Sequence, residues 1–494
     1  MTANTEELAQ RAQEALAHGH ESLVEAEIGR WLAVNGPNPR MLHWRALLLR
    51  ALDLRAEALP LLHEAAALAP DDFTIAHSLA QTSLEAGVAA VTLFEAALVR
   101  NPASTEVRLG LTSARFAEGH GDQALRELGA ALANNPGWYG GHRQYAQLSA
   151  MVGRGDDALG PLYRTIEAFP DALDPWLLAL ELTMAADQPE AALALTERAT
   201  KQHGDAAPIA EFRAAALDEL QRVGEAAQLF ERLGSPSSVD LAVRRIRHHL
   251  RGGDFARALR EAEPWLASDA ATEVWPYVAL CWRLKSDRNA AWLEDQAGLV
   301  RQIDFDPETI GTADLAQCLR GLHAKSGRFL DQSVRLGTQT DGSLFARIEP
   351  EIVRIRGLLS DAVADHIAQL PGADPHHPQL APRRDQRPRF AGSWSARLNA
   401  GGHHTKHHHP QGWFSSAFYV TGPDGLTGTE GQLELGGAPA ELGLGLTPLR
   451  RIEPKPGRLV IFPSTMWHGT LPFSSGERMA IAFDVAHPFE EVSR

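Results

Sequence analysis

The chain has 494 residues, of which 44% are hydrophobic and 22% charged, and its net charge is −15 at pH 7. That length exceeds one ordinary domain, and the composition is that of a globular protein. No run of about 18 apolar residues occurs, the first residues lack the basic start and apolar core of a secretion signal, and there are only two cysteines. We therefore expect neither a membrane partner nor a disulfide framework, and we predict a cytoplasmic protein.

The negative charge is concentrated in the first two thirds of the chain. Residues 331–494 contain 16 Lys and Arg against 17 Asp and Glu, whereas the first 330 residues contain 31 against 45. Nucleic-acid binding requires a basic surface, so we expect no nucleic-acid partner. The acidic part favours a neutral or basic partner instead.

Prolines recur at nearly equal intervals in the N-terminal part, with gaps of 33, 32, 34 and 34 residues. Five positions mark this spacing: Pro37, Pro70, Pro102, Pro136 and Pro170. Two glycine-containing turns, 119–122 and 153–156, lie midway between successive prolines, and each is followed by Ala-Leu. A period near 34 with helical spacing of apolar residues is typical of two-helix repeats. Residues 5–285 thus resemble the tetratricopeptide-repeat family, which implies a superhelix, although the proline period blurs after Gly204.

The texture of the sequence changes in the second part. Residues 286–330 keep helical patterns without a repeat, so we expect a helical cap or linker there. Residues 352–370 predict one amphipathic helix, and 371–388, rich in Pro, Arg and His, predict a loop. Short apolar runs separated by Gly and Pro then predict strands, namely 393–398, 414–420, 432–435, 458–462 and 479–485. We therefore expect residues 331–494 to form a β jelly-roll (double-stranded β-helix) domain with flanking helices.

Two histidines near the C-terminus have a spacing that suits metal binding. His407 and His409 are two residues apart, and side chains at that spacing share one face of a strand. A third ligand must come from elsewhere, and His468, which follows an apolar strand, is suitable. Arg478 lies ten residues further on and offers a guanidinium that can bind a carboxylate bidentately.

This ordered set is similar to that of the 2-oxoglutarate- and iron(II)-dependent oxygenases, in particular a bacterial branch with a His-x-His-Pro motif. The resemblance covers about residues 330 to 490. The matching positions are Trp394, Asn399, 407–410, Trp413, 416–420, 457–464, Trp467, His468 and Arg478. It implies that iron(II) is the metal, that 2-oxoglutarate and O2 are the co-substrates, and that a C–H bond is hydroxylated.

The resemblance also implies roles for individual residues. His407, His409 and His468 would hold the iron, and Arg478 would hold the distal carboxylate of 2-oxoglutarate. Two further residues, Ser416 and Tyr419, could bond to 2-oxoglutarate, although packing within a strand explains both equally well.

Two positions depart from the family pattern. The usual motif is His-x-Asp, and His409 stands where the acid would be; Ala480 stands where a serine is common two residues after the arginine. Three explanations remain open. His409 is itself a ligand, or it lies behind a water that completes the site, or an acid such as Glu430 or Glu434 reaches in from a later strand. We prefer the first, which leaves the site one negative charge short.

The sequence therefore predicts an oxygenase that hydroxylates a protein or peptide side chain presented by the helical repeats. One alternative is a tetratricopeptide scaffold whose oxygenase domain is degenerate. Another is an oxygenase that acts on a small or carrier-bound metabolite, and a cupin-type isomerase or a dioxygenase working without 2-oxoglutarate is more distant. No pattern in the sequence predicts the oligomeric state.

Overall fold

The computed structural model describes residues 4–324, 333–423 and 425–489. Within these ranges a run of helices precedes a β part that has further helices against it. The first run comprises α1 (Thr5–His18), α2 (Glu21–Asn35), α3 (Pro39–Ala51), α4 (Arg55–Leu68), α5 (Phe73–Glu85), α6 (Val91–Arg100), α7 (Thr105–Ala117), α8 (Gly121–Asn134), α9 (Tyr139–Met151), α10 (Gly160–Ala168), α11 (Leu173–Ala185), α12 (Pro189–His203), α13 (Ala207–Glu219), α14 (Val223–Leu233), α15 (Val239–Arg251), α16 (Phe255–Ala262), α17 (Ala271–Leu284) and α18 (Asn289–Glu294).

Polar caps start the first helix of several pairs at similar intervals. The side chains of Asn38, Asp72 and Ser104 accept hydrogen bonds from backbone N–H groups three residues later, at 3.0 to 3.2 Å. Such caps satisfy donors that the first turn of a helix leaves unpaired. The repeat signal in the sequence therefore corresponds to a repeated helix start.

Small buried residues extend the repeat beyond the last regular proline. Ala124, Ala158, Ala192 and Ala226 are each 34 residues apart and all are buried. Each lies in the second helix of a pair or just before that helix, where a methyl group permits close helix packing. The blurring of the period after Gly204 thus concerns only the prolines, because the packing repeat continues.

The β part is built from nine strands in the described chain. They are β1 (Arg301–Asp304), β2 (Val334–Gln339), β3 (Phe390–His404), β4 (Gly412–Thr421), β5 (Leu433–Leu435), β6 (Arg450–Ile452), β7 (Arg458–Pro463), β8 (His468–Thr470) and β9 (Arg478–Ala486). Six form one sheet in the order β1-β7-β4-β9-β3-β2, and three form a second in the order β6-β5-β8. Every pairing is antiparallel. The five predicted strands are confirmed, and the full jelly-roll connectivity stays a prediction.

Helices α19 (Pro307–Ile310), α20 (Thr312–His323) and α21 (Pro350–Ala368) complete the described α-helices. The long α21 confirms the predicted amphipathic helix. Strand residues alternate between two environments, as the pleat requires. On β9, Ile481 and Phe483 pack in the same apolar cluster as buried residues of α20 and α21, whereas Ala480 and Ala482 line a cavity on the other face. The alanines leave room that larger side chains would fill.

The segment 286–330, for which we expected helices, also contains a strand. Strand β1 pairs with β7 through Arg301↔Ile461 to Asp304↔Arg458 and forms one edge of the six-stranded sheet. Four residues are too few to show a clear period of two, so the pattern gave no strand signal here.

Repeats and β part are packed together at two places. Near the end of the repeats, the indole Nε1 of Trp467 donates to Pro276 O at 3.1 Å, and Arg283 donates to Gly436 O. Near the beginning, Arg356 Nη1 donates to Asp53 O at 2.6 Å. The helical part therefore contacts the β part through both its first and its last helices. In the described ranges no helix combines the length and the apolar character needed to cross a membrane.

Candidate metal and carboxylate site

A cavity of about 380 Å³ is lined by residues of both sheets. Strands β4, β7 and β9 contribute to one side, β5 and β8 to the other, and the segment after β3 closes one end. This volume lies within the roughly 300–1,000 Å³ typical of ligand cavities. All six predicted site residues line it directly: His407, His409, Ser416, Tyr419, His468 and Arg478.

Three histidines converge in this cavity. The candidate ligand atoms of His407, His409 and His468 all lie within 4.8 Å of one another, and the group contains no acid. His407 and His468 exchange two backbone hydrogen bonds of 2.9 Å, which fixes the segment before β4 against β8. Residues 407–409, whose spacing we interpreted as that of a strand, form an irregular segment after the end of β3, and His409 N also donates to Ser464 O at 3.0 Å.

Hydrogen bonds fix which nitrogen of each ring is free. Each Nδ1 atom contacts an oxygen that can only accept: His407 contacts Thr405 O at 2.8 Å, His468 contacts Met466 O at 3.0 Å, and His409 contacts Asp484 Oδ1 at 2.7 Å. Each Nδ1 must therefore carry the proton, which leaves a lone pair on each Nε2. Three Nε2 lone pairs in one cavity make a ligand set for a transition metal.

The charge state of the histidines agrees with this role. Burial, reinforced by repulsion from His409, lowers the pKa of His407 to about 3. Burial and the neighbouring His407 also lower the pKa of His468 well below its usual value. Both rings are thus neutral near pH 7, and the neutral form is the one that binds metal.

An arginine without an acidic partner lies at the other end of the cavity. Arg478 is 2% exposed, and it donates to Gly431 O and to Thr470 Oγ1, both at 2.7 Å. It also contacts His404 Nδ1 at 3.3 Å. No carboxylate of the described residues lies within salt-bridge distance of it, although a buried charge without a partner is costly. Burial lowers the pKa of the guanidinium, and the nearby Tyr419 opposes that shift. This end of the cavity suits a carboxylate ligand.

Tyr419 adds a second polar group for such a ligand. Its hydroxyl is buried and has no hydrogen-bond partner among the described residues. Burial raises the pKa of this phenol, so it stays protonated and can donate. Ser416 differs, because its hydroxyl donates to Phe483 O and accepts from Phe483 N, both at 3.0 Å. A role for Ser416 in co-substrate binding stays a prediction, and its known contacts hold β4 to β9.

The acids considered as replacements for a carboxylate ligand are engaged elsewhere. Glu434 forms ion pairs with Lys406 and Arg451, each at 2.9 Å. Glu430 accepts from Thr427 N at 3.1 Å in an exposed turn. Neither belongs to the cluster of possible metal ligands. The geometry therefore favours His409 as the third ligand.

The last helices of the repeats contact residues next to the candidate ligands. His408, between two of the candidate ligands, makes edge-to-face ring contacts with Tyr277 at 5.9 Å and Trp467 at 4.7 Å. Tyr277 lies on α17 of the repeat part and also packs on Trp467, with ring centroids 5.4 Å apart. A helix of the repeats thus packs against residues adjacent in sequence to all three candidate ligands.

Sequence reasoning missed three residues of this arrangement: Asp484, Ser415 and Tyr277. Asp484 carried a usable signal, since it is the acid in an otherwise apolar strand that begins with Arg478. Ser415 and Tyr277 carried none, because their importance depends on which strands pair and how the repeats pack on the sheets.

The C-terminal part of the chain matches one known family model. Residues 392–484 match the family model described as "Putative 2OG-Fe(II) oxygenase". A tetratricopeptide repeat protein from Parabacteroides merdae is 18% identical over 47% of this chain and 93% of its own, with a TM-score of 0.31. No curated protein matches.

Two solved enzymes are also similar to this chain. A prolyl-4-hydroxylase from Pseudomonas putida is 18% identical over 41% of this chain and 98% of its own, with a TM-score of 0.27. An oxidoreductase of the 2OG-Fe(II) oxygenase family from Burkholderia pseudomallei is 12% identical over 32% and 66%, with a TM-score of 0.21. These likenesses are partial, so the two-part description rests on the chain's own elements and on the family match. The chain joins helical repeats with a tetratricopeptide-like period to a C-terminal β part of which residues 392–484 match the 2OG-Fe(II) oxygenase family model.

Proposed function

We propose that the protein is a 2-oxoglutarate- and iron(II)-dependent oxygenase that hydroxylates a protein or peptide side chain. One observation carries this proposal: a single cavity contains three histidine Nε2 lone pairs and a buried arginine that has no acidic partner among the residues that the structure describes. A metal with a dicarboxylate would satisfy both ends at once. The family match over residues 392–484 supports the same conclusion.

The residues present fit both groups. His407, His409 and His468 would hold iron(II), and their Nδ1 hydrogen bonds keep each ring facing the cavity. Arg478 and the free hydroxyl of Tyr419 would bind the distal carboxylate of 2-oxoglutarate. When bound, iron and 2-oxoglutarate use O2 to insert one oxygen atom into a C–H bond, with succinate and CO2 as the other products.

The chain's own residues would orient and shield the reacting groups. Arg478 fixes the far end of the co-substrate through its planar fork, which aligns the near end with the three histidines. Phe462 stacks edge-on against His468, with ring centroids 4.8 Å apart, and apolar side chains such as Leu433 exclude water from that side. A dry, fixed site of this kind strengthens electrostatic contacts with the bound groups.

The substrate class is inferred from the repeats. A polar groove of about 450 Å³ lies on α3, α5 and α7, and a second cavity of about 460 Å³ lies where α5 and α7 meet residues 340–347 of the β part. The two share Gln81, Leu84 and Ser113, so they adjoin. Residue 339, next to this junction, lines the metal cavity. An extended polypeptide in these grooves would thus approach the site, and the acidic repeats favour a neutral or basic one.

The test is an anaerobic titration of metal-free protein, first with iron(II) and then with 2-oxoglutarate, followed by visible absorption. We expect a weak charge-transfer band that needs both additions and is absent from His468→Ala. His376→Ala is the matched control, since His376 is an exposed histidine outside the cavity and should leave the band unchanged. If the wild-type protein shows no band and calorimetry detects no 2-oxoglutarate binding, the oxygenase proposal is wrong: the domain is then degenerate or uses another chemistry, and the scaffold alternative takes the lead.

The substrate is tested separately with the full chain. Basic, neutral and acidic peptide pools are incubated with protein, iron(II), 2-oxoglutarate and O2, and mass spectrometry detects peptides that gain one oxygen atom. We expect products in the basic or neutral pool. Turnover of 2-oxoglutarate with free metabolites but with no peptide would refute the peptide assignment.

A further inference from the structure

The three-histidine ligand set lacks the negative charge of a two-histidine-one-carboxylate site. An acid that the sequence pattern did not single out contacts one of these histidines. Asp484 lies on β9, and its Oδ1 accepts from His409 Nδ1 at 2.7 Å. It therefore touches the ligand at the position where the usual carboxylate would stand, on the side away from the cavity.

The surroundings of Asp484 hold its carboxylate in place. Ser415, its register partner on β4, donates from Oγ to Asp484 Oδ1 at 2.6 Å and also contacts Ser464 Oγ at 2.9 Å. Gly412 packs closely on the same group, because a Cβ there would lie 2.5 Å from Ser464 Oγ and 3.1 Å from Asp484 Cβ and would force these side chains to shift. These contacts hold the carboxylate of Asp484 in one position within the sheet.

Among the described residues, His409 is the one basic group in contact with this carboxylate. Asp484 is 7% exposed, and in the part of the chain that the structure describes no Lys or Arg lies within salt-bridge distance of it. Glu434, a comparably buried acid, is instead neutralised by Lys406 and Arg451. A buried carboxylate without a cation is costly, and a metal bound to the other nitrogen of His409 would offset that cost.

We infer that Asp484 supplies through His409 the negative charge that a carboxylate ligand supplies directly in related metal sites. The inference rests on the proposed function, since it concerns the same metal. The carboxylate holds the His409 ring with Nε2 toward the cavity and makes that nitrogen a stronger donor to the metal. Asp484 is accordingly a positioning residue that acts on the metal through His409.

The test compares iron(II) affinity, measured anaerobically by calorimetry, in the wild type and in Asp484→Asn. Asparagine keeps an oxygen that can accept from His409 and removes only the charge. We expect the affinity to fall by about 10- to 100-fold. Glu434→Gln is the matched control, because it also neutralises a buried acid of the same domain but should leave iron(II) affinity within about twofold of the wild type.

A double variant separates charge from structural support. In His409→Asp with Asp484→Asn the negative charge moves onto the metal ligand itself, and we expect the affinity to recover to within about tenfold of the wild type. If Asp484→Asn alone fails to fold, the iron(II) affinity of the double variant is the measurement that tests the inference. Equal affinity in Asp484→Asn and wild type would overturn the inference and leave the proposed function intact, as would a double variant as weak as the single one. Absence of iron binding in the wild type would overturn both.

Discussion

Replacement of Arg478 by methionine should abolish the response of the protein to 2-oxoglutarate without unfolding it. The guanidinium is buried and has no acidic partner in the described chain, so its desolvation is only partly offset by hydrogen bonds to Gly431 O and Thr470 Oγ1. Methionine fills a similar volume and carries no charge. We therefore expect the ligand-free variant to be about as stable as the wild type.

The magnitude of the lost binding follows from the contacts. A carboxylate held by the two arms of Arg478 would gain two charge-assisted hydrogen bonds, each worth about 1.5–3 kcal/mol. Loss of both weakens binding by roughly 10²- to 10⁴-fold. At a 2-oxoglutarate concentration 100 times the wild-type Kd, the wild type gains about 2.7 kcal/mol of stability. The variant gains about 0.4 kcal/mol or less under the same conditions.

Thermal unfolding of the iron(II) protein under anaerobic conditions measures this difference. For a unit of 150–250 residues, the wild-type gain corresponds to a rise in Tm of roughly 5–10 °C, whereas Arg478→Met should shift by about 1 °C or less. Arg450→Met is the control, since Arg450 pairs with Asp295 at the surface and should retain the full rise. An equal rise in Arg478→Met would refute the assignment of this arginine to the co-substrate.

Two further substitutions test the packing around the site. Burial and Arg301 lower the pKa of His366 to about 4, so the folded protein excludes a proton that the unfolded chain takes up below pH 6.5. The free energy of unfolding should thus fall by about 1.4 kcal/mol per pH unit from pH 6.5 towards 4. His366→Leu should remove about 2 kcal/mol of the loss between pH 7 and 5, as measured by urea unfolding. Identical pH dependence of stability in the variant and the wild type would contradict this. Trp467→Ala removes a side chain that is 4% exposed, together with its hydrogen bond to Pro276 O. It should lower the free energy of unfolding by about 3–5 kcal/mol and weaken iron(II) binding through the neighbouring His468. An unchanged urea midpoint would show that the repeats do not support the site.

The sequence predicted those features that depend on local pattern. The helix pairs follow from a 34-residue period, the strands from alternating apolar runs, and the cavity residues from the spacing of His407, His409 and Arg478. Each of these signals lies within a short window, or in the order of a few distinctive residues. Local physical rules are sufficient there.

Features that depend on strand pairing were not predictable. Asp484 reaches His409 only because β4 and β9 pair with Ser415 opposite Asp484. Strand β1 was missed because four residues show no period, and its place at the sheet edge is set by β7. The support from Tyr277 depends on how one helix packs against a distant part of the chain. Such contacts are long-range in sequence, and no local pattern encodes them.

The packing of α17 against Trp467 also limits how this protein can be divided or recombined. A cut at residue 331 would remove β1 from the sheet edge and uncover the apolar cluster that joins Trp467 and Leu442 to α15, α16 and α17. Exposed apolar surface of that kind leads to aggregation. The first repeats could be exchanged for others by gene fusion, but the last helix pairs must be inherited together with the β part. For the purpose of domain shuffling, the unit therefore begins inside the repeats.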